Sequence, residues 1–281
     1  MSYENHQPSE GINVSNEHPL KEFTQLLIGI GLVCIIAVVT LSFVSSALAK
    51  RIPFEFEQTM IERFDYFKAS DSSTAKQLQN LAKRLSQHMD LPSNIELTVH
   101  YDDSDTVNAL ATLGGNIVFF EGLIKELESE DELAAVMAHE IAHIKLRHPI
   151  SGLGKGISIA AFAAFMSGLS GNTAGDWLLG NSAQLTLMSY SRRQEAAADL
   201  LAAQALQAEY GHIEGAERLF QRFSELEAKS IINDINIEAF RSHPYSDNRW
   251  AKLVGEAANA NWNLSGDLTP LSLSTKANDK K

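Results

Sequence analysis

The apolar residues of this chain change their spacing twice: they form no pattern over positions 1–22, dominate an uncharged stretch from Phe23 to Ala49, and become periodic after that. The first 22 residues are polar and Pro- and Glu-containing, as in a disordered tail. No charged residue occurs from 23 to 49, and Leu26 to Val44 is almost wholly Leu, Ile, Val, Ala and Gly, enough to cross about 30 Å of hydrocarbon. One transmembrane helix in contact with membrane lipid is therefore expected at 23–49. Residues 50–73 read as a juxtamembrane linker with a helix over 54–70, closed by a Ser/Asp break.

From Thr74 to Met89 the apolar positions Leu78, Leu81, Leu85 and Met89 mark an amphipathic helix. Alternation then predicts strands at 95–101, 106–112 and 116–120, with Gly114-Gly115 turning between the last two. The pattern returns to helical spacing over 130–148, 182–209, 214–228 and 250–258. The thirteen apolar residues 157–169 are too short to span a bilayer and read as a core helix or an interfacial one. The class is α+β: a mainly helical domain over 74–262 with a small, mostly antiparallel sheet, followed by a disordered tail over 263–281.

The helix over 130–148 carries the chemistry. It contains His139-Glu140-Ile141-Ala142-His143, and residues four apart stand one above the other on a helix face, so both imidazoles can reach one ion. Ser129 with Glu132 gives it a capping box, acids fill its first turn and bases its last. This H-E-x-x-H pattern is the signal of a zinc hydrolase with Glu140 as general base. A helix bearing two solvated histidines is the plainer alternative.

Composition narrows the ligand set. With 35 acids against 23 bases the chain lacks the basic footprint of a nucleic-acid partner. Its one cysteine, Cys34, lies in the apolar run, so any metal must be held by His, Asp or Glu. Three protein ligands and an open position are usual for catalytic zinc. The best third ligand is Glu195, in Glu195-Ala-Ala-Ala-Asp199, because an acid pair on an Ala/Leu surface must be paired or bind metal. Asp199 would then accept the N–H of a ligating histidine, His139, and fix its tautomer. Pairing of these acids with Arg192 and Arg193 is the competing explanation.

The HEIAH helix, the downstream EAAAD, the preceding Asn108-Ala-Leu-Ala-Thr-Leu-Gly-Gly-Asn-Ile-Val-Phe-Phe-Glu-Gly-Leu, and Ser242-His243-Pro244 with Arg249 together resemble the gluzincin peptidases of the HtpX and CAAX prenyl protease family, over residues 74–262. The resemblance implies a zincin-type fold and a zinc endopeptidase with one zinc on His139, His143 and Glu195, and it implies that His243 lies near the metal. On that basis His243 is assigned as oxyanion donor and Arg249 as the anchor of its loop. The chain departs from HtpX and the prenyl proteases in having one transmembrane helix, not several.

The expected function is a membrane-anchored endopeptidase acting on unfolded or envelope polypeptides in quality control. The strand Thr106–Thr112, with Ala109, Leu110, Ala111 and Thr112 at its centre, is the expected edge to which a substrate adds as a further strand. A non-peptidase metal hydrolase and an inactive scaffold with a structural zinc are the alternatives. Lys50, Arg51, Arg63 and Lys68 follow the span against Lys21 before it, so the positive-inside rule favours a cytoplasmic domain.

Overall fold

The computed structural model describes residues 19–64, 72–154, 156, 190–233, 243 and 247–273. Residues 1–18 of the expected tail 1–22, the apolar segment 157–169 and the loop after it, and residues 274–281 of the expected C-terminal tail lie outside the described residues, as do Ser242 and Pro244.

Helix α1 runs over Pro19–Ala49, 31 residues, and starts four residues before the expected span, with proline at its first position. At 1.5 Å per residue it is about 46 Å long, and it is the only described helix long and apolar enough to cross a membrane. Its last turn is held by protein. Ala49 is buried, Ser46 pairs with Ser151, and a Cβ placed on Gly154 would lie 2.9 Å from Ser45 O. Helix α2, Phe54–Phe64, follows within five residues; residues 65–70 of the expected helix lie outside the described residues.

Helix α3, Ser73–Ser86, is capped by Ser72, whose side chain accepts from Ala75 N, and it buries Leu78, Leu81 and Leu85. The strands are β1, Thr98–Asp102, β2, Ala109–Ala111, and β3, Asn116–Phe120. Their order is β1-β3-β2. The sheet is mixed: β2 is antiparallel to β3 as expected, but β1 pairs with β3 in parallel, Thr98 opposite Asn116 through Asp102 opposite Phe120. Sequence alternation gives the strands without their direction. The central strand β3 is covered on both faces, which is why its residues Ile117 to Phe119 are apolar without alternation. Gly114 and Gly115 have φ of 68° and 79° in the turn between β2 and β3, and a Cβ on Gly115 would fall 2.0 Å from Glu96 O, so the turn requires glycine.

A short helix α4, Glu121–Glu126, leads to α5, Glu130–Lys145. Ser129 caps α5 by accepting from Glu132 N, while the Glu132 carboxylate turns back to Glu128 N at 2.7 Å. Every residue from Asp131 to Ile144 is buried, so α5 is the axis of the domain. It ends three residues earlier than expected because Arg147 has φ 58°. Helix α6, Arg192–Tyr210, begins with a capping box of Ser191 and Gln194 and ends at Gly211 in the left-handed region. Its buried Ala198, Ala202, Ala203 and Ala205 let it pack closely on α5, which explains the alanines around the acid pair. Helices α7, Glu214–Asn233, and α8, Asp247–Ala260, complete the core.

Residues 263–273 correct the expectation of a disordered tail from 263. They strap the start of α5: Glu130 N donates to Thr269 O at 2.9 Å, Thr269 N donates to Asp131 Oδ2 at 2.8 Å, and Ile213 N donates to Asn263 O at 2.9 Å. The segment is polar because it satisfies helix-end backbone groups, not because it is loose.

Candidate metal centre

His139 and His143 project from one face of α5, and Glu195 faces them from the first turn of α6. The Nε2 atoms of the two histidines are 2.9 Å apart. Glu195 Oε2 is 3.5 Å from His139 Nε2, and Glu195 Oε1 is 3.6 Å from His143 Nε2. Nitrogen and oxygen ligands at about 2.0–2.1 Å from a tetrahedral ion are separated from one another by about 3.3 Å, so the three residues fit a zinc ion. All three are buried. Glu195 is not paired with Arg192 or Arg193, both of which are exposed. Its Oε2 meets Arg249 Nη1 at 2.8 Å.

His243 joins the same cluster. Its Nδ1 lies 3.2 Å from His139 Nε2 and 3.1 Å from Glu195 Oε1, and its Nε2 is 3.5 Å from Glu140 Oε1. Donor atoms of His139, His143, Glu195 and His243 all lie within 4.8 Å of one another.

Glu140 is 2% exposed and accepts a hydrogen bond from Ala111 N at 2.6 Å. Burial raises its pKa, and the neighbouring His243 and His139 act against that. The contact is possible because Thr112 N donates to Asn116 O and Phe120 N donates to Asn108 O. The backbones of Asn108, Leu110 and Thr112 thus turn toward β3, while those of Ala109 and Ala111 turn away from it. Of the four residues expected to meet a substrate, only these two alanines face outward, and the strand is three residues long, not seven.

Asp199 Oδ1 lies 3.1 Å from His139 Nδ1 and is gripped by Arg249, whose Nε donates to Oδ2 at 2.8 Å and Nη2 to Oδ1 at 2.7 Å. Burial opposes the charge on His139, but hydrogen bonds to Asp199 and Glu195 outweigh it and lift its pKa to about 10. Burial also opposes the charges on Glu195 and Asp199, yet both are held below the usual carboxylate range, Glu195 by His139 and His243 and Asp199 by Arg249 and His139.

Two neighbours were not anticipated. His148 Nδ1 is 2.8 Å from His143 Nδ1, and the Tyr190 ring stacks on His143 with centroids 4.0 Å apart. His148 is five residues after His143, off the helical face pattern, and arrives through the backbone reversal at Arg147. Tyr190 shows no sequence signal beyond being an aromatic residue shortly before the acid pair. Beside His139 and Glu140 an apolar pocket opens, walled by Leu123, Val136, Leu219, Phe220 and Phe223 with Ala109 at its rim.

The model of peptidase family M48 matches residues 72–257. The beta-barrel assembly-enhancing protease of Yersinia pestis is 36% identical over 121 residues, 37% of this chain and 24% of that one. The mitochondrial metalloendopeptidase OMA1 of Schizosaccharomyces pombe is 28% identical over 202 residues, 70% of this chain and 57% of that one. Metalloprotease LoiP of Escherichia coli K12 is 29% identical over 134 residues, 46% and 51% of the two chains. The chain spans between 24% and 57% of the length of these relatives. Since the family match covers most of the chain, including α5 and α6 with the residues that meet between them, the chain belongs to peptidase family M48, whose members are zinc-dependent metallopeptidases.

Proposed function

We propose that this chain is a membrane-anchored zinc endopeptidase that hydrolyses extended segments of unfolded or envelope proteins. The observation that carries the reading is the meeting of three helix-borne donors at metal spacing with Glu140, a buried carboxylate that is not needed to hold the ion. A zinc ion on His139, His143 and Glu195 supplies a Lewis acid and a bound water that ionises near neutral pH. Glu140 is the base: it takes the proton and returns it to the leaving amine, with Ala111 N–H fixing its direction. His243 is the oxyanion donor, its Nε2 3.5 Å from Glu140 Oε1 and so beside the carbonyl oxygen of a bound substrate. Asp199, clamped by Arg249, accepts from His139 Nδ1 and keeps Nε2 directed inward.

Substrate adds to the outward backbone of β2 at Ala109 and Ala111. Backbone pairing makes little demand on side chains, which suits unfolded segments, and the apolar pocket beside Glu140 takes a large apolar side chain. Helix α1 is the anchor, and the bases that follow it favour a catalytic domain on the cytoplasmic side. Protease protection in sealed vesicles of known sidedness checks this, and a domain shielded on the other face overturns it.

A second reading has one specific support. With His243 Nδ1 among the four donors, it could close the set as a fourth ligand and make the zinc structural. Glu140 would then have no role.

The test uses the full chain purified in detergent, with bound metal quantified and casein as unfolded substrate. One zinc per chain is expected, with cleavage lost on chelation and regained on adding zinc. A metal-loaded chain that leaves casein intact points to the non-peptidase or scaffold reading, and a metal-free chain that cleaves it overturns the mechanism.

A further inference from the structure

One buried acid takes no part in the chemistry above. Glu57 lies on α2, the first helix after the membrane span, and is 3% exposed. Its Oε2 accepts from Gly114 N at 3.1 Å, and its Oε1 lies 2.7 Å from Arg147 Nη2. These partners belong to the two elements that frame the catalytic base. Gly114 is in the turn that ends β2, and Arg147 stands just past the end of α5, where its positive φ turns the chain.

The surroundings fit a built joint. Arg147 also donates to Ile52 O, and its guanidinium lies 5.5 Å above the Phe54 ring, so the chain leaving the membrane is held from both sides. A Cβ on Gly114 would lie 3.1 Å from Gln58 Cα, and one on Gly115 3.1 Å from the Phe54 ring, so α2 rests directly on the glycine turn. Burying a carboxylate is costly unless it is paired and hydrogen-bonded. Here burial raises the Glu57 pKa, and the Gly114 amide and Arg147 pull it back. An acid in that position does what an apolar residue could not, which is to grip a backbone amide and a guanidinium at once.

We propose that Glu57 is a positioning residue for substrate, tying edge strand β2 to the end of the metal helix from the juxtamembrane helix. It acts through Gly114. Three residues before that glycine, Ala111 N–H donates to Glu140, and the outward backbone of Ala109 with the Ala111 carbonyl forms the edge to which substrate adds. Loosening the turn lets β2 drift from α5 and weakens substrate pairing while the metal ligands stay in place. The inference rests on the peptidase reading of β2. It also makes the substrate strand part of the same body as the segment leaving the membrane.

The experiment compares Glu57→Ala and Glu57→Gln with the parent full chain in detergent. Hydrogen exchange is followed at residues 109–116 and in α3. Affinity for fluorescein-labelled casein is measured by anisotropy in a Glu140→Gln background, and kcat and KM for casein with Glu140 intact. Glu57→Ala should weaken casein binding about tenfold, the worth of one hydrogen bond to a charged group. KM should rise, with a smaller fall in kcat from the loosened Ala111–Glu140 hydrogen bond. Exchange should speed up at 109–116 and not in α3, and Glu57→Gln, which keeps an oxygen for Gly114 N–H, should recover most of the loss. Unchanged exchange and affinity overturn the proposal, and so does exchange that rises equally in α3, the mark of a merely structural acid. A zinc-loaded parent that fails to cleave casein overturns the peptidase reading instead, and the exchange at 109–116 still decides whether Glu57 holds β2.

Discussion

The two histidines of the H-E-x-x-H helix are one turn apart, yet the protein surrounds them with opposite chemistry. His139 is backed by a carboxylate, Asp199, itself locked by two hydrogen bonds from Arg249. His143 is backed by another imidazole, His148, and covered by the Tyr190 ring. Charge follows: the His139 pKa is lifted to about 10, while that of His143 is pushed down by burial and by the neighbouring His139 and His243. One side of the centre is an ion-pair network that makes its ligand more basic. The other is a close-packed wall of an imidazole and a phenol ring that holds its ligand by shape and by one imidazole–imidazole hydrogen bond. An ion bound between them is gripped electrostatically from the α6 side and sterically from the α5 end.

The largest effect should come from the residue that serves both sides. Glu195→Ala removes a carboxylate facing both histidines, so the purified variant should contain no stoichiometric zinc by metal analysis. Full occupancy would take Glu195 out of the ligand set. Next comes the choice between an open and a closed centre. His243→Ala should keep its zinc and lose about 10²- to 10³-fold in kcat, the usual effect of removing an oxyanion donor. Zinc lost from that variant would make His243 a fourth ligand and the site structural. Asp199→Ala and His148→Ala then test the contrast itself. Asp199→Ala should weaken zinc affinity about 10- to 100-fold, as carboxylate partners of metal-bound histidines do, and His148→Ala, losing an imidazole in place of a carboxylate, by less than about tenfold. Equal losses in a competitive zinc titration would erase the difference between the two sides.

The same contrast divides what could be read in the sequence from what could not. The carboxylates and imidazoles of the His139 side are legible in helix periodicity, since His139 and His143, and Glu195 and Asp199, are i, i+4 pairs on helices lined with alanine, while Arg249 is given only by the family resemblance and there as a loop anchor, not as the clamp on Asp199. The start signal of α5 is equally local, Ser129, and so is the glycine pair that turns β2 into β3, whereas the cap of α6 at Ser191 lies inside the helix expected from 182. The His143 side depends on Arg147 entering the left-handed region, a backbone choice an arginine does not announce. Long-range pairing was hidden for the same reason. Nothing in the alternation of residues 95–101 says that β1 runs parallel to β3, and nothing in the polar segment 263–273 says that it satisfies the first amides of α5. Glu57 looked like one of several charges along a juxtamembrane helix. Only its contacts with Gly114 and Arg147 separate it from Glu55, which is exposed.

The central claim is that holding the metal and moving the proton are separate tasks on one helix turn, and Glu140→Gln separates them in a single measurement. Zinc content and casein turnover are determined on the same preparation of the full chain. Zinc content should match the parent while kcat falls by about 10²- to 10⁴-fold, the contribution of a positioned general base. A zinc-loaded Glu140→Gln chain that cleaves casein at the parental rate would contradict the account.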